Sequence, residues 1–367
     1  MWDYLPLFPF ETDTKIISLG EGGTPLLLGS SFPSDSGLKN VLIKDETRNP
    51  TGSFKDRQTA LYSNFARQHG FSTIIAMSSG NVAVSLSCHA TANGLKSYEI
   101  LPDLTPQEKI LMIEAYGGIP VKTKITSSKT LYSITEEISK KFQFYNGITA
   151  AIYSPMNILG SKTIAYELYE AMKDHCNIFM ASGGGGGVTA LYHGAEEMLR
   201  MGLIDELPRI FSVQSSRCAP IFVAWRDNLG YSEIISKPFQ NCISIATPLA
   251  DDIPLDGFSA VTAINKTGGM VIAVSDSEIL DAQKFLSRKT GIFPEPAGAA
   301  SLAGFIRARD SGYIDPSEKS VIVVTGSGMK NLESIKNWTQ ETNDNENEEL
   351  TKIKNLLVES ALGQKSL

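Results

Sequence analysis

The chain has 367 residues, 42% of them hydrophobic, enough to bury one large core or two medium ones. Its net charge of −7 and pI of about 5.3, with no basic stripe, exclude a nucleic-acid footprint. Cys88, Cys176, Cys218 and Cys242 are widely spaced and the four histidines fall in no metal-ligand spacing, so neither a disulfide framework nor a zinc site is expected.

The amino terminus, Met1-Trp2-Asp3-Tyr4-Leu5-Pro6, lacks the basic and apolar regions of a signal peptide. No apolar stretch approaches the roughly 18 residues that cross a bilayer. A protein without a membrane or nucleic-acid partner, kept in the reducing cytoplasm, is the expectation.

Val41-Leu42-Ile43 is the first run that reads as a strand. Beyond it, Asn49-Pro50-Thr51-Gly52-Ser53-Phe54-Lys55-Asp56 sets one lysine between a turn and the helical pattern Asp56-Arg57-Gln58-Thr59-Ala60-Leu61. A cation at a helix start opposes the positive end of the helix dipole. The placement makes chemical sense if the Lys55 amine works uncharged, as a Schiff-base former. Thr73-Ile74-Ile75-Ala76 and Tyr98-Glu99-Ile100-Leu101 read as strands, followed by a helix over 107–116 and another over 163–173. Further strands are predicted at Ile178-Phe179-Met180-Ala181, Ile210-Phe211-Ser212-Val213, Met270-Val271-Ile272-Ala273-Val274 and Val321-Ile322-Val323-Val324, with helices over 189–201 and 276–289.

This strand–helix alternation predicts an α/β fold with a mostly parallel, doubly wound sheet. Sites in such sheets sit in the loops after the strands. Met77-Ser78-Ser79-Gly80-Asn81, residues 182–187 and Thr325-Gly326-Ser327-Gly328 all lie there. From Trp338 the composition shifts to an acidic, Asn-rich linker, after which Ile353, Leu356, Leu357 and Leu362 have the spacing of a short amphipathic helix.

Gly183, Gly184, Gly185, Gly186 and Gly187 stand between a strand and a helix predicted to begin near Val188. A backbone free of side chains can wrap an anion, and the helix start adds unpaired N–H groups. A dinucleotide needs an acid at the end of the next strand, but that strand runs out into Gln214-Ser215-Ser216. No Gly-Lys-Ser/Thr follows, so a nucleotide P-loop also fails. A single phosphomonoester fits better.

A Schiff-base lysine with a glycine cradle for one phosphate describes pyridoxal 5′-phosphate. The chain resembles the fold-type II pyridoxal-phosphate enzymes, and most closely the threonine synthases. The resemblance runs in order through Gly20-Glu21-Gly22-Gly23-Thr24-Pro25-Leu26, Lys44-Asp45-Glu46 and 49–56, then Ser78-Ser79-Gly80-Asn81. It continues through Gly160-Ser161-Lys162-Thr163-Ile164-Ala165-Tyr166-Glu167 and the glycine run. Gly291-Ile292-Phe293-Pro294-Glu295-Pro296-Ala297-Gly298-Ala299-Ala300 and Thr325-Gly326-Ser327-Gly328-Met329-Lys330-Asn331 complete it.

The resemblance implies two doubly wound sheet domains, as in the tryptophan synthase β subunit, with the cofactor in the cleft between them. The larger would comprise 1–60 and 150–338, the smaller and mobile one 61–149, leaving 339–367 as linker and tail. It implies Lys55 as the cofactor's lysine and Gly183 through Gly187 as its phosphate cradle. Asn81 would bond the ring's 3′-oxygen and Thr325 would face the ring nitrogen. Ser78, Ser79 and Gly80 would grip the substrate carboxylate. A hydroxyl at Thr325, unlike a carboxylate, does not lock that nitrogen protonated, which favours elimination or replacement over transamination. A homodimer is implied as well.

The implied reaction converts O-phosphohomoserine and water to threonine and phosphate, which requires a second phosphate site. There the chain departs from the family. The stretch before Gly160 reads Ser154-Pro155-Met156-Asn157-Ile158-Leu159 where the family has a pattern like Asn-Pro-Tyr-Arg-Ile-Glu, so Asn157 occupies the arginine position. A neutral amide does not replace a bidentate guanidinium. Lys109 matches a family lysine, but Met112 stands where a glutamine is usual, and Asp251 and Asp252 add two acids. Replacement or elimination on O-phosphoserine or another activated serine or threonine, as in cysteate synthases and deaminases, is the alternative. A non-catalytic binding protein on the same fold is a more remote one.

Overall fold

Central strands of the larger sheet, such as those over 178–181 and 321–324, read as apolar runs because both faces of the sheet are covered there. A computed structural model describes residues 1–338 apart from 12, 34–37, 79, 104, 126 and 173–174. The predicted tail helix around Ile353–Leu362 lies outside them. The strands are β1 (Leu26–Leu28), β2 (Val41–Asp45), β3 (Thr73–Met77), β4 (Lys96–Pro102), β5 (Ile119–Thr123), β6 (Tyr145–Asn146), β7 (Asn177–Ala181), β8 (Arg209–Ser215), β9 (Met270–Val274) and β10 (Ser320–Val324). They form two sheets, β1-β2-β10-β7-β8-β9 and β5-β4-β3-β6, parallel throughout except for the β1–β2 pair.

Between the strands run α1 (Lys55–Gln68), α2 (Asn81–Ala92), α3 (Gln107–Ala115), α4 (Ser128–Phe142), α5 (Met156–Ser161), α6 (Thr163–Met172) and α7 (Gly186–Arg200). Then come α8 (Pro220–Arg226), α9 (Tyr231–Ser236), α10 (Gly257–Lys266), α11 (Asp276–Thr290) and α12 (Pro296–Asp310). Alternate residues of each large-sheet strand enter different cores, as the two-residue period of a strand requires. Ile178, Met180, Val321 and Val323 pack under α6, α7 and α10, while Phe179, Ala181, Ile322 and Val324 pack under α11 and α12. Around the smaller sheet, Leu61, Tyr62 and Ala66 of α1 share a core with Ile74, Ala76 and Leu86. Helix α1 therefore begins beside the large sheet and ends in the small sheet's core.

Its anchor is Arg57, whose side chain is fully buried. Nε and Nη2 donate to the two oxygens of Glu46 at 2.8 Å each, and Nη1 and Nη2 donate to the two oxygens of Glu167 at 2.6 and 2.8 Å. Nη1 also reaches Thr163 Oγ1 at 2.9 Å and Nη2 reaches Thr24 Oγ1 at 3.1 Å. Lys44 Nζ completes the network on Glu167 at 2.7 Å. Burial alone would push the Glu167 carboxyl up, but the hydrogen bonds and charge of Arg57, with Lys44, hold it well below the ordinary range.

One expectation is corrected. Cys218 and Cys242 are joined as a disulfide, with Cα atoms 4.5 Å apart, although the cysteine spacing pointed to none. They are 24 residues apart in sequence, and only the turn after β8 and the return of the segment between α9 and α10 bring them together. No helix among the described residues is long and apolar enough to cross a membrane.

Removing one partner of a buried, fully hydrogen-bonded ion network strands the others. Arg57→Met is expected to lower the unfolding free energy by about 3–5 kcal/mol in urea titrations of the cofactor-free protein. A change within about 0.5 kcal/mol, the range of ordinary surface substitutions, would refute that role for Arg57.

Candidate active site

The turn before Lys55 is held by the loop after β10. Ser53 and Gly326 form an antiparallel bridge, the Phe54 N–H donates to the Thr325 carbonyl at 3.1 Å, and the Ser327 N–H donates to the Gly52 carbonyl at 2.8 Å. This pairing brings the first residue of α1 and Thr325 to one cavity of about 370 Å³. Asp56 braces the same turn. Its carboxyl accepts from the Thr51 N–H at 2.9 Å, from Thr51 Oγ1 at 2.7 Å and from Ser85 Oγ at 2.5 Å, tying α1 to α2.

Lys55 lines the cavity, its Nζ 4.4 Å from the centre of the Phe54 ring. Burial pulls its amine down to about 8, against the opposing charges of Asp256 and Asp251. The lysine at the helix start is thus one whose uncharged form is accessible near neutrality.

Gly183 through Gly187 line the same cavity, but α7 starts at Gly186, two residues before the predicted position. Gly185 caps it with φ +99°, a conformation that a side chain disfavours. The first N–H groups of α7 have no partners within the helix and so are available to an anion.

Asn81 opens α2 and lines the cavity, 6% exposed. Its Nδ2 donates to Glu295 Oε1 at 2.5 Å, and its buried Oδ1 has no partner. Glu295, also at the cavity wall, is fixed by its own N–H donating to the Gly326 carbonyl at 2.9 Å. Glu295 falls in the motif Pro294-Glu295-Pro296, to which the sequence alone assigns no role. The available signal was an acid between two prolines at a helix start, where a carboxylate is well placed electrostatically.

Ser78 and Gly80 line the cavity too, with the Gly80 N–H donating to Ser78 Oγ at 3.2 Å, whereas Ser79 is outside the described residues. Asn157 reaches the cavity, but its Nδ2 donates to the carbonyls of Ile148 and Ser154 at 3.0 and 2.9 Å, leaving a partnerless Oδ1. Lys109 is buried in α3 and is not among the residues lining the cavity. Of the two added acids, Asp251 faces the cavity while Asp252 accepts from Ser128 Oγ at 2.5 Å. Among the described lining residues Lys55 is the only cation.

A family model described as "Pyridoxal-phosphate dependent enzyme" matches residues 17–326. The chain is 34% identical to a threonine synthase of Methanocaldococcus jannaschii over 335 residues, covering 90% of this chain and 80% of that one. It is 31% identical to a threonine synthase of Mycobacterium tuberculosis over 330 residues, covering 89% of this chain and 87% of the relative. In structure it resembles the processed form of threonine deaminase isoform 2 from Solanum lycopersicum, with a TM-score of 0.70 and 22% identity over 86% of this chain and 87% of that one. That last likeness shows the fold.

The electrostatics at Lys55 set a reactivity. In the cofactor-free protein, competitive acetylation of Lys55 followed by peptide mass mapping is expected to titrate with a midpoint of about 8 rather than the ordinary 10.5. The uncharged amine reacts, so labelling rises with pH through that midpoint. A midpoint at or above the ordinary value would contradict the burial argument.

Proposed function

The chain belongs to the fold-type II pyridoxal-phosphate-dependent enzymes, in the threonine synthase family, and from that premise we propose that it converts O-phosphohomoserine and water to threonine and phosphate. What supports the reading is the single cavity that Lys55, Asn81, the glycine loop and Thr325 share. These residues fit the cofactor: an amine available uncharged, a buried amide that donates only one of its two N–H bonds among the described residues, and a side-chain-free loop opening a helix. Lys55 would hold it covalently, the glycine loop its phosphate, Asn81 its 3′-oxygen and Thr325 its ring nitrogen. The bound cofactor supplies an electron sink for charge that develops at substrate carbons.

The chain's own residues do the rest. Lys55 Nζ, in the uncharged form that burial favours, accepts the substrate's α-proton and delivers protons to neighbouring carbons. The turn of Ser78, Ser79 and Gly80 would receive the substrate carboxylate, with the N–H groups of the first turn of α2, which have no partners within the helix, as donors. Glu295 fixes the rotation of the Asn81 amide by accepting one of its two N–H bonds. A neutral hydroxyl at Thr325 leaves the ring nitrogen a weaker electron sink, which steers chemistry to the side-chain carbons.

One observation favours a second reading, elimination or replacement on a serine or threonine derivative without a second phosphate. A substrate phosphate would find Lys55 as its sole cation among the described lining residues, with Asn157 already engaged. Borohydride reduction followed by mass mapping is expected to place a pyridoxyl group on Lys55, and label elsewhere or none would overturn the enzyme reading. Assayed on O-phosphohomoserine, O-phosphoserine, threonine and serine, the protein is expected to release phosphate from the first. Ketoacid from threonine or serine alone would select the second reading.

In the same proposal 61–149 is the smaller, mobile unit that closes over the substrate, and the protein is a cytoplasmic homodimer. Small-angle scattering reads both physical statements. Twice the monomer mass and a smaller radius with substrate are expected; a monomer, or an unchanged radius, counts against the corresponding statement.

A further inference from the structure

Two carboxyl groups reach the glycine loop, where the bound group is an anion. A methyl placed on Gly184 would lie 2.6 Å from Asp251 Oδ2, and one on Gly186 would lie 2.9 Å from Asp256 Oδ2. Each acid's other oxygen is held by backbone, Asp251 Oδ1 by the Ile253 N–H at 3.2 Å and Asp256 Oδ1 by the Ala151 N–H at 3.0 Å. No hydrogen bond to either Oδ2 occurs among the described residues. Both acids also border a small chamber of about 30 Å³ beside Gly184, but of the two only Asp251 lines the main cavity. A loop built to cradle phosphate thus carries an acid on its rim.

The groups facing Asp251 make its charge hard to keep. They are Asp252 next in sequence, Asp256 across the loop, the phenol of Tyr132 from α4, and Lys55 as the one cation. Asp252 is already engaged by Ser128 Oγ and Asp256 by Ala151, and Lys55, its own amine pulled down to about 8, offsets the burial of Asp251 only in part. Burial pushes the Asp251 carboxyl up to about 7, the Asp252 charge pushing the same way, even without an anion beside it. A phosphate arriving at the loop can only push it higher.

We infer that Asp251 binds the cofactor phosphate as a neutral carboxylic acid whose O–H donates to a phosphate oxygen, so that cofactor binding takes up one proton from solvent. No covalent bond changes; the proton moves from solvent to the Asp251 carboxylate. The inference rests on the cofactor assignment above. Its sign follows from linkage. The bound state has the higher pKa, so affinity is full below about pH 7 and falls as pH rises above the free-state value.

The test uses pyridoxine 5′-phosphate and the full chain freed of cofactor, with Lys55→Met in every sample (wild-type then meaning the parent with Asp251 intact), because the Lys55 amine itself titrates near 8 and would add a linked proton of its own. Dissociation constants measured by fluorescence from pH 6.5 to 9 are expected to rise about tenfold per pH unit above 7.5, as one linked proton requires. Calorimetry at pH 8 in two buffers of different ionisation enthalpy is expected to show uptake of about one proton. Asp251→Asn should flatten the pH dependence and tighten binding about tenfold at pH 8.5, while Asp252→Asn should keep the wild-type slope. A wild-type proton count of zero, or an unchanged slope in Asp251→Asn, overturns the inference while leaving the cofactor assignment intact. The wild-type count decides the matter even if Asp251→Asn does not fold. Absence of binding at every pH overturns the assignment and the inference together.

Discussion

The buried guanidinium of Arg57 fixes the start of α1 against the large-sheet side of the fold. Arg57 lies two residues beyond Lys55 on the same helix, and its guanidinium is shared between Glu46, just after β2, and Glu167 on α6. A planar fork with fixed donors tolerates little rotation once both carboxylates are bidentate. The first turn of α1 therefore has its azimuth and depth set by the large sheet, while Leu61, Tyr62 and Ala66 commit its later turns to the small sheet's core. Lys55 is placed by the helix that joins the two sheets.

The same network gives several motif residues a structural role. Thr24, Glu46, Thr163 and Glu167 sit in segments that read as chemistry in the sequence, yet all four serve the Arg57 guanidinium. Ser161 accepts from Gln58 Nε2 at 2.8 Å, and Lys162 pairs with Glu197 at 2.9 Å. A motif around a reactive lysine thus has two layers, one that borders the cavity and one that holds the first still. Glu295 belongs to both, since it lines the cavity and orients Asn81.

Much of this was legible in the chain. The large sheet's strands after β1 announce themselves because burial on both faces demands short, mostly apolar runs, and the glycine run and Lys55 stand out at turns that lead into helices. The short β1, the half-exposed β5 and the two-residue β6 carry too few buried residues for a pattern to emerge. Pairings across long separations were illegible for a different reason. Asn81 with Glu295, Arg57 with Glu167 and Cys218 with Cys242 are each decided by tertiary closure, and no local spacing encodes them. Lys109 shows the limit from the other side: a lysine at the expected position in sequence is buried in α3 away from the cavity wall.

Asn157 bears on the substrate more subtly than a missing arginine suggests. Its amide nitrogen ties Ile148 to Ser154, closing the loop that leads from β6 into α5, and α5 packs against α1. A guanidinium grafted there would lose those two backbone acceptors unless it repeated the bonds, and a longer side chain would enter a cavity already bordered by Asp251 and Glu295. The position is coupled to the local scaffold as well as to the cavity. A change of substrate through this position would therefore involve the 148–157 loop as well as the cavity's charge, because Asn157 closes the loop and borders the cavity.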